Sequence, residues 1–402
     1  MEKKSLPINL DLLKWARKKA GLSFQTVAEL GKIKPLRARK DKPGLSAAER
    51  VQAWEEGSQP LTWRCVETLA KVYRRPAITF FLAAPPIEEV KVADFRTVAD
   101  KHVVVNSPEF AAFMRRIDVL HEEIVELVGD TKPDTLSFLG SATIETPAQL
   151  VIDSIRKTLN LPYDEQKRTT DGDDLFRVLR RKIQDANIFV LIEGDLGSYS
   201  SQISPEEFRG IAICHPKAPL IVINPYDAKS ARLFTLIHEL THLWLGDSAV
   251  SNTSLFPWAN CIINSKETFC NNVAAEFLVP SSVLLEYFSQ KKHQDVETAI
   301  VDFAKHFKVS RAVIARRLHD LNKIDNEIYW RYLDALRIQW EMSKIKQRNS
   351  GGGPRRSVLD KFRLGEKLIH TVLNGAEEGL ISFQDASRIL KVKVARFDAI
   401  SQ

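Results

Sequence analysis

The sequence predicts an α+β chain, mainly helical and built from several domains, and three observations carry that prediction. Most of the 402 residues place apolar side chains at helical spacing. Only three short β-prone apolar runs occur, at 188–192, 210–214 and 220–223, enough for one small sheet. Pro- and Gly-containing segments then break the chain into modules.

Taken in order, residues 1–86 read as a helical module. Leu10, Leu13, Ala16 and Ala20 share a helical face, with Gly21 as the stop. A second helix starts near Ser23, a plausible N-cap. A basic insert with Pro and Gly occupies 32–44. A further helix begins at Ser46 and carries Val51 and Trp54, and another covers 61–73, before Pro85-Pro86. Residues 87–165 form a helical connector with amphipathic stretches at 110–128 and 147–159. Residues 166–325 hold the three strand-like runs, a helix at 176–186 and a strong helix over 228–245. Asp227 is placed to cap that last helix and Gly246 to end it. The next helix covers 265–278 and closes at Pro280, and others lie at 282–290, 296–306 and 310–321. Residues 326–349 form a long helix, 350–356 a Gly-rich linker, and 357–402 a small helical module.

Apolar residues make up 44% and charged residues 27%, a mix able to bury sizeable cores. No apolar run is long enough to span a bilayer, and no secretory leader is visible, so a cytoplasmic location and no membrane partner are expected. The four cysteines, at 65, 214, 261 and 270, form no CxxC pair, which excludes zinc ribbons and redox motifs and leaves reduced thiols. A formal charge of +7 permits contact with nucleic acid without demonstrating it.

The chemistry concentrates at His238-Glu239-Leu240-Thr241-His242. Four residues apart on a helix, the two imidazoles share a face and reach one cation. Zinc (Zn2+) suits imidazole, and a catalytic site needs three protein ligands with one position left open. Glu239, beside the first ligand, is the general base for a water that zinc makes acidic. Two histidines and a carboxylate would be costly in an apolar helix unless paired or metallated. The third ligand is assigned to Glu267, near the start of the next helix, with Glu276 as its competitor. Asn271, one turn beyond Glu267, is placed to fix the tautomer of a ligating histidine. His215 and Tyr226 are weaker candidates for oxyanion stabilisation. Asp247 reads as a cap or solvent residue.

These residues resemble the ImmA/IrrE family of metallopeptidases. Phe208-Arg209-Gly210-Ile211-Ala212 and Ala218-Pro219-Leu220-Ile221-Val222-Ile223-Asn224 resemble its paired strands. Arg232-Leu233-Phe234-Thr235-Leu236-Ile237 leads into the motif in the family manner. Glu267-Thr268-Phe269-Cys270-Asn271 resembles its Glu-x-x-Ala-Asn stretch, with cysteine in place of alanine. Ala274-Ala275-Glu276-Phe277-Leu278-Val279-Pro280 continues it, and Phe307-Lys308-Val309-Ser310 and Arg316-Arg317-Leu318 are similar to the helical tail. The resemblance implies a zincin-like core, His238, His242 and Glu267 as zinc ligands, and Glu239 as base. It also implies an extended protein substrate added to a sheet edge, a repressor or antitoxin that silences stress, phage or mobile-element genes.

The N-terminal module is similar to a Cro/repressor-type (XRE) helix-turn-helix, on Gly21-Leu22-Ser23, Val27-Ala28, Trp54-Glu55-Glu56-Gly57 and Leu69-Ala70-Lys71-Val72-Tyr73. The insert falls where the turn and recognition helix of that motif should begin. Its Lys32, Lys34, Arg37, Arg39, Lys40 and Lys42 either contact DNA phosphates or belong to a module that docks protein instead. The chain could then be a DNA-binding regulator or an antitoxin-like partner binder in which the zinc domain senses or scaffolds. The C-terminal module resembles the tail of fused family members, with a packing or partner-binding role.

Overall fold

The computed structural model describes residues 7–38, 44–86, 107–129, 136–197, 201–251, 265–290, 295–348 and 355–401. Two compact units divide the chain. The first holds the described residues of Met1–Lys91, Val104–Arg116 and Asp195–Ser201, and the second the rest.

In the first unit, α1 (Leu10–Lys19), α2 (Phe24–Leu30), α3 (Ala47–Glu55) and α4 (Trp63–Val72) precede a 3-10 turn, Ala77–Phe81. Asn9, Ser23, Ser46 and Thr62 cap the four helices, each side chain accepting an otherwise orphaned N–H. Leu12, Leu13, Val27, Val51, Val66, Leu69 and Phe80 form the core. Within it, Arg17 donates to both Glu55 oxygens at 2.8 and 3.1 Å and stacks on Phe24. The described ends of the insert are tied by reciprocal hydrogen bonds between Leu36 and Leu45, at 2.8 and 2.9 Å. Lys32, Lys34 and Arg37 lie in the described part. Arg39, Lys40 and Lys42 lie outside the described residues, as do Cys261 and most of the Gly-rich linker.

The chain continues with α5 (Pro108–Val128), α6 (Ala148–Thr158), α7 (Tyr163–Arg168) and α8 (Gly172–Asp185). α8 starts four residues earlier than its apolar periodicity suggests, because Asp171 caps it through the N–H of Asp174. Next come β1 (Phe189–Ile192), β2 (Gly210–Ile213), β3 (Leu220–Ile223), α9 (Lys229–Trp244) and β4 (Ala249–Ser251). The sheet order is β1-β3-β2-β4. β1 runs parallel to β3, while β2 is antiparallel to both β3 and β4. Every residue of β1, β2 and β3 is buried, which is why they read as unbroken apolar runs.

Four helices follow the sheet: α10 (Ser265–Leu278), α11 (Ser281–Gln290), α12 (Val296–Phe307) and α13 (Arg311–Asp320). They and the long α14 (Asn326–Arg348) share one core with the sheet and α9. No described helix is long and apolar enough to cross a membrane.

The last helices are α15 (Arg356–Leu364), α16 (Glu366–Glu377), α17 (Phe383–Leu390) and α18 (Phe397–Ser401). α15 and α16 pack on β1. The buried Arg180 guanidinium donates to Val190 O, on the outer side of β1, at 2.7 Å and to Phe362 O at 2.5 Å. The Gly365 backbone lies so close to Val190 O that a Cβ there would come within 2.9 Å of it. The β1 edge is therefore closed by the chain itself, and a positively charged side chain satisfies its outward carbonyl. The result is an α+β, mainly helical chain, as the periodicity predicts.

Candidate metal centre

α9 carries the motif through the middle of the core, with twelve of its sixteen residues buried. One face, through Leu233, Leu236, Ile237, Leu240 and Leu243, joins the apolar core. Its C-terminus needs a left-handed residue, and Gly246 supplies one at φ +72°. The N–H of Asp247 then reaches back to the His242 carbonyl at 3.0 Å, which holds the last turn under that histidine. Asp227 does not cap the helix through its first turn. Its Oδ1 accepts from Ala228 N at 2.8 Å, and Oδ2 accepts from Arg209 at 2.5 Å.

His238, His242 and Glu267 converge. The two Nε2 atoms stand 3.2 Å apart, and the Glu267 oxygens lie 3.1 Å from His238 Nε2 and 3.3 Å from His242 Nε2. Both histidines are buried, and Glu267 keeps 19% of its side-chain surface. Among the described residues this is the one group of three or more histidine, cysteine or carboxylate side chains placed to hold a metal ion. The separations fit zinc. Zinc–nitrogen and zinc–oxygen bonds of about 2.0–2.1 Å at the centre of a tetrahedron set its corners about 3.3–3.4 Å apart. The electronic demand also fits. Three acceptor atoms in mutual contact repel unless a proton or a cation lies between them. The outward Nδ1 atoms of both rings have no hydrogen-bond partner among the described residues, and Nε2 is the nitrogen each ring presents to the focus.

The electrostatics follow from this packing. Burial alone would raise the Glu267 pKa, but the hydrogen bonds and charges of His238 and His242 outweigh it and hold the carboxyl well below its usual range. Burial pulls the His238 pKa down. Glu267, then Glu239, then Asn271 more than offset that, and the net shift is upward. Asn271 thus sits beside His238, and its side-chain hydrogen bond adds to the upward shift. Cys270, on α10, is fully buried. Burial, followed by the charges of Glu267, Glu239 and Asp247, pushes its thiol far up and keeps it protonated.

Glu239 is fully buried. Its side chain lies over the Cα of Gly210, the first residue of β2. Glu276, the competing ligand, is engaged elsewhere. It accepts from Ser281 N at 2.8 Å and from Ser281 Oγ at 2.6 Å, and it pairs with the buried Arg317. His215 sits in the turn after β2, the end of the strand opposite Gly210. There its Nδ1 accepts from Lys217 N and Ala218 N, both at 3.3 Å. Tyr226 follows β3 at the same end of the sheet as Gly210.

Sequence reasoning missed two features that hold the site. Asp247 pairs with Lys266 at 2.7 Å, tying the end of α9 to the first turn of α10, where Glu267 stands. Arg209 clamps Asp227 beside Gly210. The only hint of either in the sequence is adjacency to a motif residue.

Searches of curated proteins and of solved structures find no match to the chain. Residues 192–319 match the family model of the IrrE N-terminal-like domain, Peptidase_M78. That span takes in β2, β3, β4, the motif on α9 and Glu267 on α10, and it supports a metallopeptidase-type function for this part of the chain.

Proposed function

We propose that the chain is a zinc endopeptidase that cleaves a regulatory protein of the repressor or antitoxin type. The observation that carries this reading is the convergence of His238, His242 and Glu267 on one focus, with the Glu239 carboxylate buried beside His238. Zinc held by those three side chains would polarise the scissile carbonyl and make a water acidic enough to lose a proton near neutral pH. Glu239 takes that proton on its carboxylate and delivers it to the departing amine. Asp247 and Lys266 keep Glu267 in register with the two histidines. An extended substrate is aligned along β4, the strand at the opposite end of the sheet order from β1, by backbone hydrogen bonds.

The first unit is assigned to docking of a protein partner. α3 exposes Glu49 and Gln52, with Glu56 exposed at its C-cap, and the Glu49 carboxylate occupies the N-terminal end of that helix by accepting from Ser46 N at 2.7 Å. An acidic face repels phosphates, and it lies on the helix that would have to read DNA.

The test does not require the substrate to be identified beforehand. Zinc-loaded wild type and Glu239→Gln are each incubated with a bacterial lysate, and newly created protein N-termini are labelled and sequenced. New termini are expected with the wild type alone, at equal zinc content. The same termini from Glu239→Gln would refute the base assignment.

A further inference from the structure

We propose that Gly210 is a positioning residue for the general base. Its missing side chain is the space in which the Glu239 arm lies. A Cβ built on Gly210 would fall 2.6 Å from both Cγ and Cδ of Glu239, and closer still to Oε1. Non-bonded carbons settle at about 3.5–4.0 Å, so that atom cannot coexist with the arm as it stands. The inference rests on reading Glu239 as the base.

The backbone does not ask for glycine here. Gly210 is absent from the residues with positive φ, so its extended conformation is open to any L residue. Glycine inside a strand costs stability through entropy and leaves nothing to pack, and it commonly marks a close approach. Here the approaching group is a buried carboxylate.

Neither backbone can move aside. β2 lies inside the sheet, and Gly210 pairs with Ile223 on one flank and Ser251 on the other. The preceding residue is held twice: Arg209 O accepts from Asn224 N at 2.9 Å, and its guanidinium donates to Asp227 at 2.5 Å. Asn224 also donates to Phe208 O at 3.0 Å and to Ile203 O at 3.1 Å. On the other side, α9 is wedged by the fully buried Leu236, Ile237, Leu240 and Leu243. A methyl group at position 210 must therefore turn the Glu239 side chain. The atoms nearest a Cβ there all belong to Glu239 and none to the three metal ligands, which would stay in place.

The experiment is a double-mutant cycle on the full chain: wild type, Gly210→Ala, Glu239→Ala and the double variant. Each is followed by thermal unfolding and by titration with Co2+, whose visible absorption reports the ligand set. In the wild-type background, Gly210→Ala is expected to lower the folding equilibrium constant by roughly tenfold or more, the usual result of overpacking. In the Glu239→Ala background it is expected to be neutral or stabilising, because alanine suits a strand better than glycine. In a Glu239→Asp background, where the acid is one methylene shorter, Gly210→Ala is expected to cost less than it does beside the native glutamate. Co2+ absorption is expected to match in all four proteins of the cycle. If Gly210→Ala alone does not fold, recovery of folded protein in the double variant supports the proposal equally, and failure of both overturns it. An equal cost in both backgrounds also overturns it. Absence of Co2+ binding by the wild type would instead remove the metal reading, and with it the meaning of Glu239 as base, whatever the coupling.

Discussion

Glu267→Ala separates the two carboxylates that compete for the third metal position. Structural zinc sites with four protein ligands bind with about 10–16 kcal/mol near neutral pH. One ligand's share is then roughly 2.5–4 kcal/mol, and its loss should weaken zinc binding by roughly 10²–10³-fold. The geometry offers no substitute. Among the described residues Cys270 is not one of the side chains that converge on the focus, and Glu276 is committed to Ser281 N, Ser281 Oγ and Arg317. The assay is competition for zinc against a chromophoric chelator, with bound metal measured by elemental analysis. The companion variant, Glu276→Gln, should bind zinc within about threefold of wild type. It should instead lose about 2–3 kcal/mol of stability, because the buried Arg317 is left without its counter-charge. Zinc affinity in Glu267→Ala within tenfold of wild type, or a collapse of affinity in Glu276→Gln, would refute the ligand assignment.

Three other outcomes follow from the packing. Arg180→Met removes two strong hydrogen bonds to Phe362 O and Val190 O while also relieving a buried charge. The net loss should be about 2–3 kcal/mol, seen as faster hydrogen exchange in α15. Glu55→Gln strips the buried partner of Arg17 and should cost the first unit about 2–4 kcal/mol, read as a lowered unfolding midpoint of that unit. Burial, then the Lys217 charge, lowers the His215 pKa below its ordinary 6.5. The folded state therefore favours the neutral ring. Its contribution is complete above pH 6.5 and is lost as pH falls through the lower folded value. His215→Gln should flatten the fall in melting temperature between about pH 7 and pH 5, and an unchanged slope would count against this account.

Much of the core is legible because burial leaves a local signature. Leu220–Ile223 reads directly as a strand, since four consecutive apolar β-branched or leucine residues suit a strand covered on both faces. α9 and α10 are bounded by Gly246, which takes the left-handed turn that ends a helix, and by Pro280, which has no N–H to continue one. β4 has no such signature: Ala249, Val250 and Ser251 make three residues, too few for a period to show. α7 is likewise a single short helix rich in charge. The motif histidines are legible from spacing alone. The arrangement that holds them is not, because Asp247–Lys266 and Arg317–Glu276 join residues 19 and 41 positions apart. Gly210 is invisible for a further reason. What it contributes is empty space, and space acquires meaning only when the atoms that fill it are known.

The closure of the β1 edge has a consequence for biosynthesis. β1 ends at Ile192, and the helix that covers it begins at Arg356. At about 5–20 residues per second, a ribosome needs roughly 8–30 s to make the intervening polypeptide. Throughout that interval the growing chain carries an apolar strand with one flank open to any neighbour. Chaperone demand should peak there, and shortening the route between the strand and its cover should raise the yield of native protein.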